Sequence, residues 1–114
     1  AHPGHIGFNE PCDHFPVMTH EVQLTDMTRE ANKRFFSSID EVPTAAVTMG
    51  VGTVMAARKI VMVITGADKA DILYKVFFGP VTPEVPGSIL QFHHDVTLIS
   101  DEAAARFVEE RYAF

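Results

Sequence analysis

The chain has 114 residues, of which 46% are hydrophobic and 21% charged, with a formal net charge of −6 and one cysteine. That is enough apolar material for the core of one domain, and it excludes a disordered chain, an internal disulfide and, for want of a basic cluster, a nucleic-acid binder. With no charged-then-apolar leader and no apolar run near the roughly 20 residues that cross a membrane, the expectation is a soluble cytoplasmic protein with residues 1–114 as a single domain.

Residues 1–19 are rich in Pro, Gly and His and lack periodicity, which predicts a loop. His20 to Thr25 alternates and predicts a short strand; Asp26 or Thr28 is then placed to cap a helix running through Phe36. Pro43 punctuates before a short apolar strand at 45–49, and Gly50-Val51-Gly52-Thr53 leads into a second helix ending near Ala57. Lys59 to Thr65 (KIVMVIT) is a continuous β-branched run, the pattern of a strand buried on both faces of a parallel sheet. Gly66 ends it. Asp68 to Phe78 has helical spacing, with Ile72, Leu73, Val76 and Phe77 on one side. The Pro- and Gly-rich stretch 79–87 is a loop, 88–93 a helical turn, and 96–100 a further buried strand. Asp101 is positioned to cap a last helix over 102–114. Strands and helices thus alternate four times, which predicts an α/β fold with a largely parallel sheet and flanking helices, and ligands at the carboxyl ends of its strands.

Three constellations could carry chemistry. His2, His5, Cys12, His14 and His20 could be drawn as metal ligands, but their spacing matches no standard zinc pattern and there is no second cysteine. The pair His93-His94 is treated in the same way, as loop residues. His5 and Glu10, five residues apart across a glycine-containing loop, suit proton transfer: an imidazole gives and takes protons near neutral pH, and a carboxylate orients it. Spacing alone favours the plainer reading, a histidine and a glutamate on a solvated loop. Gly66-Ala67-Asp68-Lys69 lies where a strand turns into a helix, so free backbone N–H groups, the helix dipole and the Lys69 charge could meet an anion there. Arg34, late in the first helix, could converge on the same spot; otherwise the segment is a tight turn with a surface lysine. An acidic protein with an anionic substrate needs such a local basic pair. Gly50 and Gly52 form a similar junction, where glycine could serve close packing instead.

GHIGFNEP (4–11), RFF (34–36), VPTAAVTMGVGTVMAAR (42–58), ITGADKA (64–70) and SILQFHHDVTLISDEAA (88–104) together resemble the glucosamine-6-phosphate deaminase family, in the same order and with nearly the same separations. The related 6-phosphogluconolactonases carry a different first motif. The resemblance implies a Rossmann-like fold, partial here because family members are about twice as long and the match falls on their C-terminal half. It implies conversion of glucosamine 6-phosphate and water to fructose 6-phosphate and ammonia, with no metal or organic cofactor. It further implies that His5 opens the sugar ring by moving a proton between the ring oxygen and the anomeric hydroxyl, that Glu10 orients His5, and that Arg34 and Lys69 hold the phosphate.

The departures are specific. The family half that is not matched would supply a Gly/Ser-rich phosphate loop and the aspartate that moves a proton between C2 and C1. Pro3 stands where the family has Asp or Asn. Thr19-His20-Glu21-Val22 replaces the basic Thr-Arg-x-Lys stretch of the allosterically regulated members, so no anionic effector of that kind is expected. The expected partners are a small sugar phosphate and, because a sheet cut in two exposes an edge and an apolar face, a second copy of the chain; no nucleic acid or membrane is expected. A chain of this half alone could also be a non-catalytic sugar-phosphate binder, or a half-protein that needs a partner segment.

Overall fold

The computed structural model describes residues 4–112. The alternation at the first strand is realised as β1 (His20–Gln23). Thr25 follows with extended backbone, and its Oγ1 accepts the Thr28 N–H at 3.2 Å. Thr25, rather than Asp26 or Thr28, is therefore the cap of α1 (Asp26–Asn32). Asp26 instead sits in the first turn, where its charge faces the positive end of the helix dipole.

The helix expected to reach Phe36 stops at Asn32. There the side-chain Nδ2 donates to the Thr28 carbonyl at 2.8 Å, competing with the backbone ladder, and the chain tightens into a 3-10 turn at Lys33–Phe35. A second 3-10 turn, Ile39–Glu41, is held by the Arg29 guanidinium, which donates to the carbonyls of Ile39 and Val42 at 3.0 and 3.1 Å. This folded-back connection brings β2 (Ala45–Thr48) alongside β1 in antiparallel register, His20 opposite Thr48 and Gln23 opposite Ala45. A parallel crossover needs a helix that carries the chain back along the strand, and a seven-residue α1 followed by two reversals does not do so.

After β2 a short helix α2 (Val51–Met55) leads to β3 (Ile60–Ile64), α3 (Ala70–Phe78), β4 (Val96–Ser100) and α4 (Glu102–Tyr112). β3 and β4 pair in parallel, Ile60 opposite Val96 and Ile64 opposite Ser100. The α/β class and the alternation of elements are those expected. The parallel pairing is confined to β3–β4, and β1–β2 form a separate two-stranded antiparallel sheet, which corrects the expectation of one largely parallel sheet.

The core lies on one side of β3–β4. Leu73 of α3 and Ala104 and Val108 of α4 are buried there against Ile64 and Leu98. Val61, Val63 and Ile99 point to the opposite face and are 62%, 62% and 52% exposed. The expectation of a strand buried on both faces is thus corrected: both helices pack on the same side, and no described residue covers the other. Asp101 caps α4 as expected, its Oδ1 accepting the Ala104 N–H at 2.8 Å. Between α3 and β4, Pro86–Phe92 forms a 3-10 segment that begins two residues before the expected turn, with Pro86 at its first position. Gln91 reaches back from it to close the carboxyl end of α3, donating to the carbonyls of Val76 and Gly79, both at 2.9 Å.

Candidate active site

The loop 4–11 is fixed at several points. The Gly4 carbonyl accepts the Gly87 N–H at 2.7 Å. Gly4 has φ +90°, and a Cβ there would lie 2.9 Å from Val85 Cγ1 and 3.1 Å from Ile72 Cδ1, so both its conformation and its surroundings require glycine. Asn9 is buried and donates through Nδ2 to the carbonyls of Ile6 (2.7 Å) and Met49 (2.9 Å), while the Phe8 N–H reaches Thr48 Oγ1 at 3.1 Å. The loop is therefore stitched to the end of β2 as well as to the start of the 3-10 segment Pro86–Phe92.

This anchoring brings His5 Nε2 to 2.7 Å from Glu10 Oε2, with only 11% and 7% of the two side chains exposed. The other carboxylate oxygen, Oε1, accepts the Thr28 hydroxyl at 2.7 Å and the Thr25 N–H at 3.3 Å. Burial alone would push the Glu10 carboxyl up. The hydrogen bond from Thr28, the hydrogen bond and charge of His5, and the Thr25 N–H together outweigh it and hold the carboxyl below the ordinary glutamate value. His5 and Glu10 are thus a preorganised pair and not two side chains on a solvated loop.

His5 lines a cavity of about 360 Å3 together with Thr28, Arg34 and Lys69, with Phe8 and Met27 as apolar walls. The expected convergence of Arg34 and Lys69 is present in this geometry. Arg34 is exposed, donates to the Ala31 carbonyl and lies over the Phe35 ring, 4.4 Å from its centroid. Lys69 Nζ is 3.1 Å from Asp68 Oδ2. The Gly66 turn offers less than its sequence suggests: the Gly66 N–H donates to the Asp101 carboxylate at 3.0 and 3.2 Å, so that donor is already committed. What the turn supplies is the Lys69 side chain. At Gly50 the packing reading holds, since a Cβ there would come within 2.3 Å of the Val17 carbonyl.

Among the described residues, His5, Cys12, His14 and His20 do not form one ligand cluster. His2, like Pro3, lies outside the described residues; His5 is paired with Glu10, and His20 Nδ1 donates to the Met18 carbonyl at 2.8 Å. Cys12, Asp13 and His14 lie together at the surface, their ligand atoms within 4.8 Å of one another. His93 Nε2 donates to the Ala57 carbonyl at 2.6 Å while Nδ1 accepts the Asp95 N–H at 3.0 Å, and its ring stacks on His94. His93 thus ties the end of α2 to the start of β4. Thr25, Thr28 and Thr48 were not singled out for the site in the sequence. Threonines near a helix start carry only a capping signal, and nothing local marks a contact made 18 residues away.

The chain is similar in sequence and in fold to proteins of known activity. A glucosamine-6-phosphate deaminase of Streptococcus thermophilus is 58% identical over 102 residues, 90% of this chain and 44% of that protein. The chain is similar to glucosamine-6-phosphate deaminases over most of its own residues and under half of theirs. The Lactobacillus helveticus deaminase is 50% identical over 109 residues, covering 96% of this chain and 46% of its own length. A solved structure of a monomeric glucosamine-6-phosphate deaminase of the NagB superfamily superimposes with a TM-score of 0.85 at 45% identity, covering 90% of this chain and 43% of that one. No protein-family model matches. The chain spans under half the length of the deaminases it matches. Among the described residues no helix is long and apolar enough to cross a membrane.

Proposed function

We propose that this chain carries the ring-opening and phosphate-holding part of a glucosamine-6-phosphate deaminase site, corresponding to the C-terminal half of such an enzyme. The observation that supports this most directly is the single cavity of about 360 Å3 onto which His5, Arg34 and Lys69 all open, with Glu10 behind His5. A hexose phosphate needs the elements found there: cations for its dianion at one end and a proton carrier at the other. Arg34 offers a planar guanidinium fork and Lys69 a point charge, and the two suit one phosphate group.

The reaction is glucosamine 6-phosphate plus water giving fructose 6-phosphate plus ammonia. His5 takes the proton from the anomeric hydroxyl and returns it to the ring oxygen as the C1–O5 bond opens. Glu10 orients the imidazole and stabilises it while it carries the extra proton. The open-chain sugar then requires a base to move a proton between C2 and C1, and the segment of the longer relatives that this chain does not match is the proposed source of it. General acid–base groups contribute about 10²–10⁴-fold each, so the isolated chain is expected to bind sugar phosphate with little turnover. Binding without turnover is also the behaviour of a non-catalytic sugar-phosphate module, which the partial coverage keeps in view.

Two measurements on the chain, alone and joined to the remaining segment of a deaminase relative, test the reading: calorimetric titration with glucosamine 6-phosphate, and ammonia release. Binding by the isolated chain that Arg34→Ala abolishes, together with ammonia release by the joined protein that His5→Ala abolishes, is the expected result. A joined protein that folds and binds but releases no ammonia would leave the binding-module reading standing instead.

A further inference from the structure

The proposed roles of His5 and Glu10 leave one buried hydroxyl without a task. Thr28, in the first turn of α1, is 4% exposed. It is not the helix cap, since Thr25 fills that position. Its hydroxyl proton can be placed without ambiguity. The Thr25 hydroxyl donates to Thr28 Oγ1 at 3.1 Å while Thr25 Oγ1 itself accepts the Thr28 N–H at 3.2 Å. Thr28 Oγ1 therefore accepts from Thr25 and donates to Glu10 Oε1 at 2.7 Å.

An ionised carboxylate has no proton to give, so Glu10 accepts on both oxygens: from Thr28 and Thr25 on Oε1, and from His5 Nε2 on Oε2. The neutral imidazole then carries its proton on Nε2, and Nδ1 keeps the lone pair. Without the Thr28 hydroxyl, Oε1 would retain only the 3.3 Å contact with the Thr25 N–H. A carboxylate held at Oε1 by so long a contact is less firmly oriented toward the imidazole.

We infer that Thr28 is the positioning residue of the His5–Glu10 pair: by holding Oε1 it presents Oε2 to His5 Nε2, fixes the Nε2–H tautomer and leaves Nδ1 as the basic nitrogen. The inference deepens the proposed role of His5 as proton carrier and rests on it for its functional meaning, but its test needs no turnover.

The test is nuclear magnetic resonance of the ¹⁵N,¹³C-labelled chain above the imidazole titration range, with Thr28→Ser, Thr28→Val and Thr28→Ala. In the wild type and in Thr28→Ser, the His5 Nε2–H is expected to exchange with water at least about tenfold more slowly than in Thr28→Val, which is what the loss of a hydrogen bond of about 1.4 kcal/mol would produce. In a second titration of the same samples the Glu10 carboxyl midpoint is expected to rise in Thr28→Val and to stay in place in Thr28→Ser. Thr28→Ala supplies the same readouts if the valine variant does not fold. A folded Thr28→Val or Thr28→Ala with wild-type Nε2–H exchange and a wild-type Glu10 midpoint would overturn the inference, as would a Thr28→Ser that behaves like valine. If the deaminase reading itself fails, the joined protein releases no ammonia while these resonances remain as expected, so the two failures are separable.

Discussion

Arg34 and Lys69 face one cavity although the first ends the α1 region and the second ends the turn after β3. Two cations lining one cavity of an otherwise acidic chain are the proposed site for the phosphate dianion. Each substitution, Arg34→Ala or Lys69→Ala, is expected to weaken glucosamine 6-phosphate binding by about 10–100-fold, the range of a charge-assisted hydrogen bond of about 1.5–3 kcal/mol. Raising the salt concentration should weaken the wild type as well, because both groups are partly solvated. Titration calorimetry at two ionic strengths measures both effects. Glucosamine without its phosphate should bind equally weakly to wild type and variants.

Glu10 makes stability depend on acid. Its carboxyl lies below the ordinary glutamate value in the folded chain, because the hydrogen bonds from Thr28 and His5 outweigh the burial that pushes it up. The unfolded chain then binds the proton at higher pH than the folded one, so this contribution is complete above the unfolded value of about 4.3 and is lost as pH falls through the folded value. Urea unfolding at a series of pH values below 5 should show the wild type losing stability more steeply than Glu10→Gln, whose amide has nothing to protonate. Equal slopes would mean that Glu10 is not anchored as described.

Gly4 sets the path of the loop that carries His5. Gly4→Ala would place a methyl group 2.9 Å from Val85 Cγ1 at φ +90°, a conformation that costs a non-glycine residue about 1–3 kcal/mol. A lower melting temperature is expected, together with loss of the slowly exchanging His5 Nε2–H, because the loop must shift to relieve the contact. Gly79→Ala, at a helix end outside the cavity, serves as the comparison: it should lower the melting temperature while His5 keeps its resonance.

The order of elements was legible because it is written in local pattern. The β-branched runs at 60–64 and 96–100 have few other conformations open to them, and Gly66 follows the first while Asp101, a helix cap, follows the second. Burial was not legible in the same way. Val61 and Val63 are as apolar as Met62 and Ile64, yet only the second pair meets α3 and α4, since composition does not say on which side a strand finds its partner. The antiparallel pairing of β1 with β2 goes with the early end of α1, where the Asn32 side chain bonds to the Thr28 carbonyl, a contact that helical spacing does not reveal. At the site, the spacing of His5 and Glu10 left a proton-transfer pair and a solvated loop both open, and only the resemblance carried by GHIGFNEP implied their roles. Thr28 was not legible, because its contact with Glu10 exists only after α1 has folded against that loop.

The uncovered face of β3–β4 has a consequence for the isolated chain. A parallel pair normally has both faces covered, and here Val61, Val63 and Ile99 are bare. A second copy of the chain presents the same apolar face and can lie against it in an isologous contact. Concentration-dependent self-association is therefore expected by sedimentation velocity. The triple substitution Val61→Thr, Val63→Thr and Ile99→Thr keeps strand propensity while removing apolar area, and should shift the chain toward monomer without altering the His5–Glu10 resonances on the other side of the molecule. A wild type that sediments as a monomer at every concentration tested would show that this face does not pair with its own copy.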